Sequence, residues 1–225
     1  MQGEQVILTD MLLCRERRAQ IQDTFLSQYH CPVISFCMNI PGPVKTNEQI
    51  RAAFESGKTA LLTRLEQSSA EIKNFLEIHE KTGDELLLSI DCPAEKIKDI
   101  ITEIEETHPI GRLFDMDVID TDGQKLSRPS YRKCIICGCQ AQECARTRKH
   151  TVEEMQAKIE EMLKKGDFKM LVCDYIVEQI DGDYAHLRRV DLPDEELKLV
   201  ARALLPAEIV EGCKLHYELM QYTII

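Results

Sequence analysis

The sequence predicts an α+β protein: a mostly antiparallel sheet with packed helices over residues 1–166, then a small β unit over 167–225. Three observations carry this expectation. Phe114, Met116 and Val118 alternate with Asp115 and Asp117, the period of a strand with one buried face. Long helical stretches with apolar stripes are interleaved with short β-branched runs, and Gly-containing turns of hairpin type join some of those runs. From Phe168 onward the helical period gives way to strands and turns.

Taken in order, residues 6–30 read as a helix, with Thr9 or Asp10 as cap and Met11, Cys14, Ile21, Phe25 and Tyr29 as a rough apolar stripe. Arg15 and Arg18 share one face of it. Val33–Met38 is a strand by its β-branched and aromatic content. It runs into Pro41-Gly42-Pro43, a stiff turn followed by Lys45. Asn47 to Ser69 reads as a second long helix, interrupted or loosened near Gly57. Ile72–His79 and Leu86–Asp91 form a hairpin about Thr82-Gly83-Asp84. Pro93 opens a third helix with Ile97, Ile100, Ile101 and Ile104 as its core stripe. The acidic strand follows. Asp122-Gly123 then turns the chain, so that Ser127 and Arg128 return on a strand beside Asp115 and Asp117. Thr151-Val152-Glu153-Glu154 is a capping box for a helix through Lys165, with Val152, Met155, Ile159, Met162 and Leu163 on one face and Gly166 as its end. In the last segment, Leu171–Ile180 and Tyr184–Arg189 make a hairpin, and Leu197–Leu205 and Lys214–Ile225 add two strands. Such a unit is small enough to require docking or dimerisation.

Bulk properties narrow the function. A chain of 225 residues, 44% hydrophobic and 30% charged, reads as soluble and globular, and the expected location is the cytoplasm. No run has the length of a membrane span, and the N-terminus lacks a signal-peptide pattern, so no membrane association is expected. The net charge of −11 argues against non-specific nucleic-acid binding. It leaves room for a locally basic pocket that takes a small polyanion.

Two constellations carry chemistry. Asp115 and Asp117 project from the same side of their strand, roughly 7 Å apart, and such a pair accepts Mg²⁺ together with substrate phosphates. Gly111-Arg112 just upstream adds a flexible point and a planar cation suited to phosphate oxygens. One of the carboxylates or His108 could act as base, and Asp91 and Asp120 are candidates for a third carboxylate on a neighbouring strand. The plainer reading is an acidic strand facing water. The second constellation is Cys134-x2-Cys137 with Cys144 and His150, a plausible tetrahedral Zn²⁺ set with Cys139 spare or competing. Its plainer reading is a loop of reduced thiols that merely pack. Ten cysteines in a chain of this character do not suggest a disulfide framework.

Several separated segments, in order, resemble the apo-citrate lyase phosphoribosyl-dephospho-CoA transferases, also called holo-citrate-lyase acyl-carrier-protein synthases. They are Arg15-Glu16 with Arg18, Ile34-Ser35-Phe36 with Pro41-Gly42-Pro43 and Lys45, and His108 through Val118. Leu126-Ser127-Arg128, Arg132-Lys133-Cys134-Ile135-Ile136-Cys137, and Cys144-Ala145-Arg146 with His150 complete the set. The similarity covers roughly residues 8–165. It implies a nucleotidyltransferase-like fold and a transferase that moves 2′-(5″-phosphoribosyl)-3′-dephospho-CoA from its triphosphate precursor, triphosphoribosyl-dephospho-CoA, to a serine of the citrate lyase acyl carrier (gamma) subunit, releasing pyrophosphate. It also implies Asp115 and Asp117 as Mg²⁺ ligands, by analogy with the related malonate decarboxylase transferase. Arg112, Arg128, Arg146, Lys45, Arg15 and Ser127 become the substrate-holding set. The Gly-Ser of polymerase-like nucleotidyltransferases stands here as Gly111-Arg112, which makes Arg112 the expected phosphate contact. The alternatives are a non-catalytic, zinc-stabilised module that binds a citrate lyase subunit, or a related nucleotidyltransferase with another acceptor.

Overall fold

The apolar runs form strands Val33–Met38 (β1), Glu71–Glu80 (β2), Gly83–Asp91 (β3) and Phe114–Ile119 (β4). They make one antiparallel sheet in the order β2-β3-β1-β4. This computed structural model describes residues 1–128, 130–165, 173–193, 196–218 and 221–225. The chain divides into two units, Met1–Phe168 and Lys169–Ile225.

In the first unit the helices are Leu8–Tyr29 (α1), Glu48–Gln67 (α2), Ala94–Thr107 (α3), Ala141–Thr147 (α4) and Val152–Lys165 (α5). Their ends follow local chemistry. Asn47 accepts the Ile50 N–H at 2.9 Å, and Pro93 precedes α3. Thr151 and Glu154 exchange hydrogen bonds of 2.8 and 3.1 Å, a reciprocal capping box. At α1 the expected cap shifts. Ile7 occupies the cap position, and the Asp10 carboxylate reaches back to its N–H at 3.2 Å. Gly166, expected to end α5, lies outside the described residues, as does the expected junction between 166 and 167.

One face of the sheet carries Ile34, Phe36, Leu86, Leu88, Ile90, Phe114, Met116 and Val118. These pack against α2, α3 and α5 through Phe54, Leu61, Ile97, Ile101, Ile159 and Leu163. Each fully buried large apolar side chain contributes roughly 1.5–3 kcal/mol, so this layer dominates the stability of the unit. Gly57 does not loosen α2, which runs unbroken through it. A Cβ there would stand 2.7 Å from Phe114 Cζ and 2.8 Å from Phe36 Cζ, so the glycine makes room for two core rings. The opposite face receives α1, whose Phe25 and Ile21 cover Val33 and Leu87. Because α1 lies over β1 and β3, the polar residues of β4 on that face stay partly open.

The return strand expected beside β4 does not form. The chain after Gly123 makes one bridge, Ile119 with Lys125, and the Leu126 N–H donates to the Val118 carbonyl at 2.9 Å. Side chains complete the edge. Glu105 accepts the Met116 N–H at 3.0 Å, and Arg132 donates to the Phe114 carbonyl at 2.7 Å. Edge groups must be paired by something, and here α3 and an arginine do it instead of a fifth strand.

The second unit is an antiparallel sheet of Cys173–Asp181 (β5), Tyr184–Arg189 (β6), Lys198–Ala201 (β7), Lys214–Glu218 (β8) and Gln221–Ile224 (β9), ordered β7-β6-β5-β8-β9. Its own core includes Tyr175, Val177, Leu187, Leu215, Tyr217 and Tyr222. Two expectations are corrected. The strand read over 197–205 stops at Ala201 and becomes a 3-10 turn, Arg202–Leu204. The strand read over 214–225 is two strands of a hairpin, in which pairing Tyr217 with Tyr222 packs both rings, edge-on and tilted, against Tyr175. Among the described residues no helix is long and apolar enough to cross a membrane.

Candidate active site

The strand period puts Asp115 and Asp117 on the α1 side of the sheet. Antiparallel register sets Cys37 opposite Asp115 and Ser35 opposite Asp117. One strand further, Glu85 stands opposite Cys37. A polar row, Glu85–Cys37–Asp115, thus crosses three strands of the sheet. The Cys37 sulfur lies 4.0 Å from an Asp115 oxygen.

Charge around this row is partitioned. Glu85, 1% exposed, is held from α1 by Arg18, by Arg17 at 3.3 Å and by the Cys14 thiol at 3.1 Å. Burial pushes the Cys37 thiol up to about 12, which holds it in its neutral form. Burial first, then the neighbouring Asp117, raises the Asp115 carboxyl above its usual range. Lys125 pairs with Asp117. Lys45, just past the Pro-Gly-Pro turn, donates to the Ile40 carbonyl at 2.6 Å, and burial together with the adjacent Arg15 draws its pKa down. Arg15 and Lys45 therefore stand side by side at this turn, with Cys37 near Lys45.

Further basic groups lie at the β4 edge. Arg128 pairs with buried Glu105 at 3.2 Å, and Arg132 reaches it at 3.6 Å. Arg112 donates to the Lys133 carbonyl. Burial, followed by Arg132 and Arg128, lowers the Arg112 pKa. The fold thus sets Lys125 on Asp117 and Arg18 and Arg132 near Asp115, with Arg112 and Arg128 close to Arg132 at the strand's edge. It does not gather the rest. His108 stands across the sheet, with Nε2 3.1 Å from Ser56 Oγ and its ring 4.8 Å from Phe114 in the helix-covered core. Asp91 pairs with Lys73 at 3.2 Å at the end of β3, and Asp120 accepts the Thr121 N–H in the turn. Ser127 is exposed past the bridge, and Arg146 is exposed on α4.

Glu85, Lys125 and Glu105 escape a reading by motif. Glu85 had one signal: a carboxylate beside Leu86-Leu87-Leu88 in a strand buried on both faces. Arg132 lies in a segment that carries the resemblance, but its role and that of Glu105 depend on an edge that the sequence does not reveal.

The cysteine segment adjoins the edge of β4 through Arg132 and Lys133. Cys134, Cys137, Cys144 and His150 bring their ligand atoms within 4.8 Å of one another. The Cys137 and Cys144 sulfurs are 3.5 Å apart, and His150 Nε2 is 3.2 Å from the Cys137 sulfur. The backbone around Cys139, then His150, lowers Cys137 to about 6. Burial and the adjacent thiols push Cys144 up to about 12. Cys139 is outside this group, with Lys149 Nζ 3.8 Å from its sulfur.

Residues 6–166 match the family described as apo-citrate lyase phosphoribosyl-dephospho-CoA transferase. Curated relatives include a probable apo-citrate lyase phosphoribosyl-dephospho-CoA transferase of Vibrio cholerae serotype O1, 38% identical over 162 residues, which are 70% of this chain and 91% of that protein. The apo-citrate lyase phosphoribosyl-dephospho-CoA transferase of Citrobacter koseri is 32% identical over 166 residues, 72% of this chain and 91% of that protein. The Escherichia coli O157:H7 enzyme is 33% identical over the same length and shares.

Proposed function

The chain belongs to the apo-citrate lyase phosphoribosyl-dephospho-CoA transferase family, and from that premise we propose how its residues perform the transfer. It is a transferase that attaches the phosphoribosyl-dephospho-CoA prosthetic group to apo-citrate lyase. The acceptor is a serine of the acyl carrier subunit, and the donor is the triphosphate precursor. The serine oxygen attacks the phosphorus next to the ribose. A phosphodiester forms, the bond from that phosphorus to the bridging oxygen breaks, and pyrophosphate leaves with the electron pair. We take the cytoplasm as the setting, where ten cysteines stay reduced.

The observation that carries this reading is the carboxylate pair on the open flank of the sheet, with Lys125 on Asp117 and Arg132 and Arg18 near Asp115. Burial first, then the like charge of Asp117 two positions on, raises the Asp115 pKa, and a bound cation would offset both, so the pair fits Mg²⁺. Mg²⁺ held by Asp115 and Asp117 with the substrate phosphates would neutralise charge on the triphosphate. The protein's own part is positioning. Arg15 and Lys45 hold phosphate oxygens from the α1 side, and Arg112, Lys125 and Arg128 hold them from the β4 edge. Arg18, fixed by Glu85, keeps a positive charge over Asp115. His108 takes no part, because it lies across the sheet. Arg146 and Ser127 stay outside this set.

The test is the reaction itself. The protein, Mg²⁺, the triphosphate precursor and an apo acyl carrier subunit are mixed, and the carrier's intact mass is read. Wild type adds the phosphoribosyl-dephospho-CoA mass. Asp115→Asn and Asp117→Asn keep the fold and slow transfer at least ~100-fold, since several kcal/mol of charge stabilisation go with the metal. Full activity in either variant would refute the assignment of the pair.

A further inference from the structure

We infer that Cys134, Cys137, Cys144 and His150 bind a structural Zn²⁺, and that this metal fixes the arginine clamp on the edge of β4. The donor set comes from three places in the chain. A turn carries Cys134 and Cys137, α4 carries Cys144, and the chain reverses at Arg148, with φ of 49°, to deliver His150. Their ligand atoms lie within 4.8 Å of one another. Zn–S bonds of about 2.3 Å in a tetrahedron place sulfurs about 3.8 Å apart. The Cys137–Cys144 separation of 3.5 Å needs a shift of only tenths of an ångström to meet that.

The turn itself has a shape suited to thiolate ligands. The Cys134 N–H donates to the Cys139 carbonyl at 2.7 Å, the Gly138 N–H to the Cys134 carbonyl at 3.1 Å, and the Ile136 N–H to the Cys134 sulfur at 3.5 Å. Gly138 sits at φ +70°, where a side chain would be strained. Four protein ligands close a zinc shell, so the site is structural rather than catalytic. Cys139 takes no part, consistent with its lysine neighbour.

A metal is also what this segment lacks in apolar packing. Among described residues 130–150, Cys144 is the one buried side chain. So little burial does not order a stretch of this length. Yet the segment holds the edge of the acidic strand. Arg132, two residues before Cys134, donates to the carbonyls of Phe114 at 2.7 Å, Gly111 at 3.3 Å and Arg112 at 3.4 Å. The Lys133 carbonyl receives Arg112. Lys133 bridges Gln140, and the Ala141 N–H donates to the Arg132 carbonyl at 2.8 Å. The metal turn and the clamp are therefore one hydrogen-bonded piece. The consequence for transfer rests on the reading of Asp115 and Asp117 given above, whereas the metal site does not.

The experiment uses the full chain, purified under reducing conditions without chelator. Elemental analysis is expected to find zinc stoichiometric with protein. Exchange for Co²⁺ is expected to give thiolate-to-cobalt absorption in the near ultraviolet and the visible bands of a tetrahedral site. Both signals persist in Cys139→Ser and vanish in Cys137→Ser and His150→Ala. Wild type with no stoichiometric metal and no cobalt absorption would overturn the site, as would a Cys137–Cys144 disulfide in its place. Should the variants fail to fold, these wild-type measurements still decide. For the clamp, chelation of wild type is expected to lower Tm and to free the Arg132 guanidinium from the Phe114, Gly111 and Arg112 carbonyls, read by NMR as faster exchange of its N–H protons with water, with zinc restoring both. Metal loss that leaves the Arg132 guanidinium protons protected would refute the coupling. None of these readouts uses turnover, so a failure of the Asp115–Asp117 assignment would leave them unchanged.

Discussion

His108 accepts the Ile110 N–H on Nδ1 at 3.3 Å and sets Nε2 3.1 Å from Ser56 Oγ, an arrangement that uses the neutral ring. Burial lowers its pKa below the ordinary 6.5. The unfolded chain then binds the proton at higher pH than the folded one. The stability linked to His108 is therefore complete above pH 6.5 and lost as pH falls from there through the folded-state value. Urea unfolding at about pH 7.5 and about pH 5.5 is expected to show a steeper loss in wild type than in His108→Asn, whose amide oxygen still accepts from Ile110. Equal losses would mean that the ring titrates normally. This residue also marks a limit of motif reading. His108 stands seven residues before Asp115 in sequence, which invites a catalytic role. A strand separates them by face, and face depends on which side chains the core takes.

At the scale of elements, α2 and β4 teach opposite lessons. Gly57 in a helical pattern reads as a weak point because glycine costs about 1 kcal/mol against alanine. In the fold it is the point where α2 approaches the rings of Phe36 and Phe114. Gly57→Ala is expected to destabilise by about 1–3 kcal/mol despite its better helix propensity, because those rings are fully buried and have no room to retreat. Denaturant unfolding checks the sign, and a more stable variant would show that the rings yield. For β4, alternation alone predicted which residues are buried and which are polar. The partner on its edge was not legible, because Asp122-Gly123 signals a turn but not how long the return pairs. The outcome hinged on Glu105 and Arg132, long side chains that satisfy the edge where backbone would have done so.

For the whole molecule, the family match spans residues 6–166, and the unit Met1–Phe168 has its own core. The unit Lys169–Ile225 has another. The relatives named above are covered over 91% of their length by 162–166 residues of alignment, and the family match ends at residue 166. A chain ending at Phe168 is therefore expected to melt cooperatively and to keep transfer within a few-fold of the full chain. Intact-mass assay of the carrier and calorimetry check both. Loss of transfer with an intact melt would assign the second unit a part in catalysis or carrier docking.

The sequence by itself determined the α+β class, the position of most elements, the acidic pair, the four candidate metal ligands and the family. Each of these rests on local period, capping chemistry or ordered motifs, which are properties of neighbours along the chain. Only the tertiary structure decided that Glu85 and Cys37 join the row of Asp115, that His108 does not, and that side chains of α3 and the cysteine segment close the edge of β4. Those facts depend on strand register and on which groups desolvation forces to pair, and both arise only when distant segments meet.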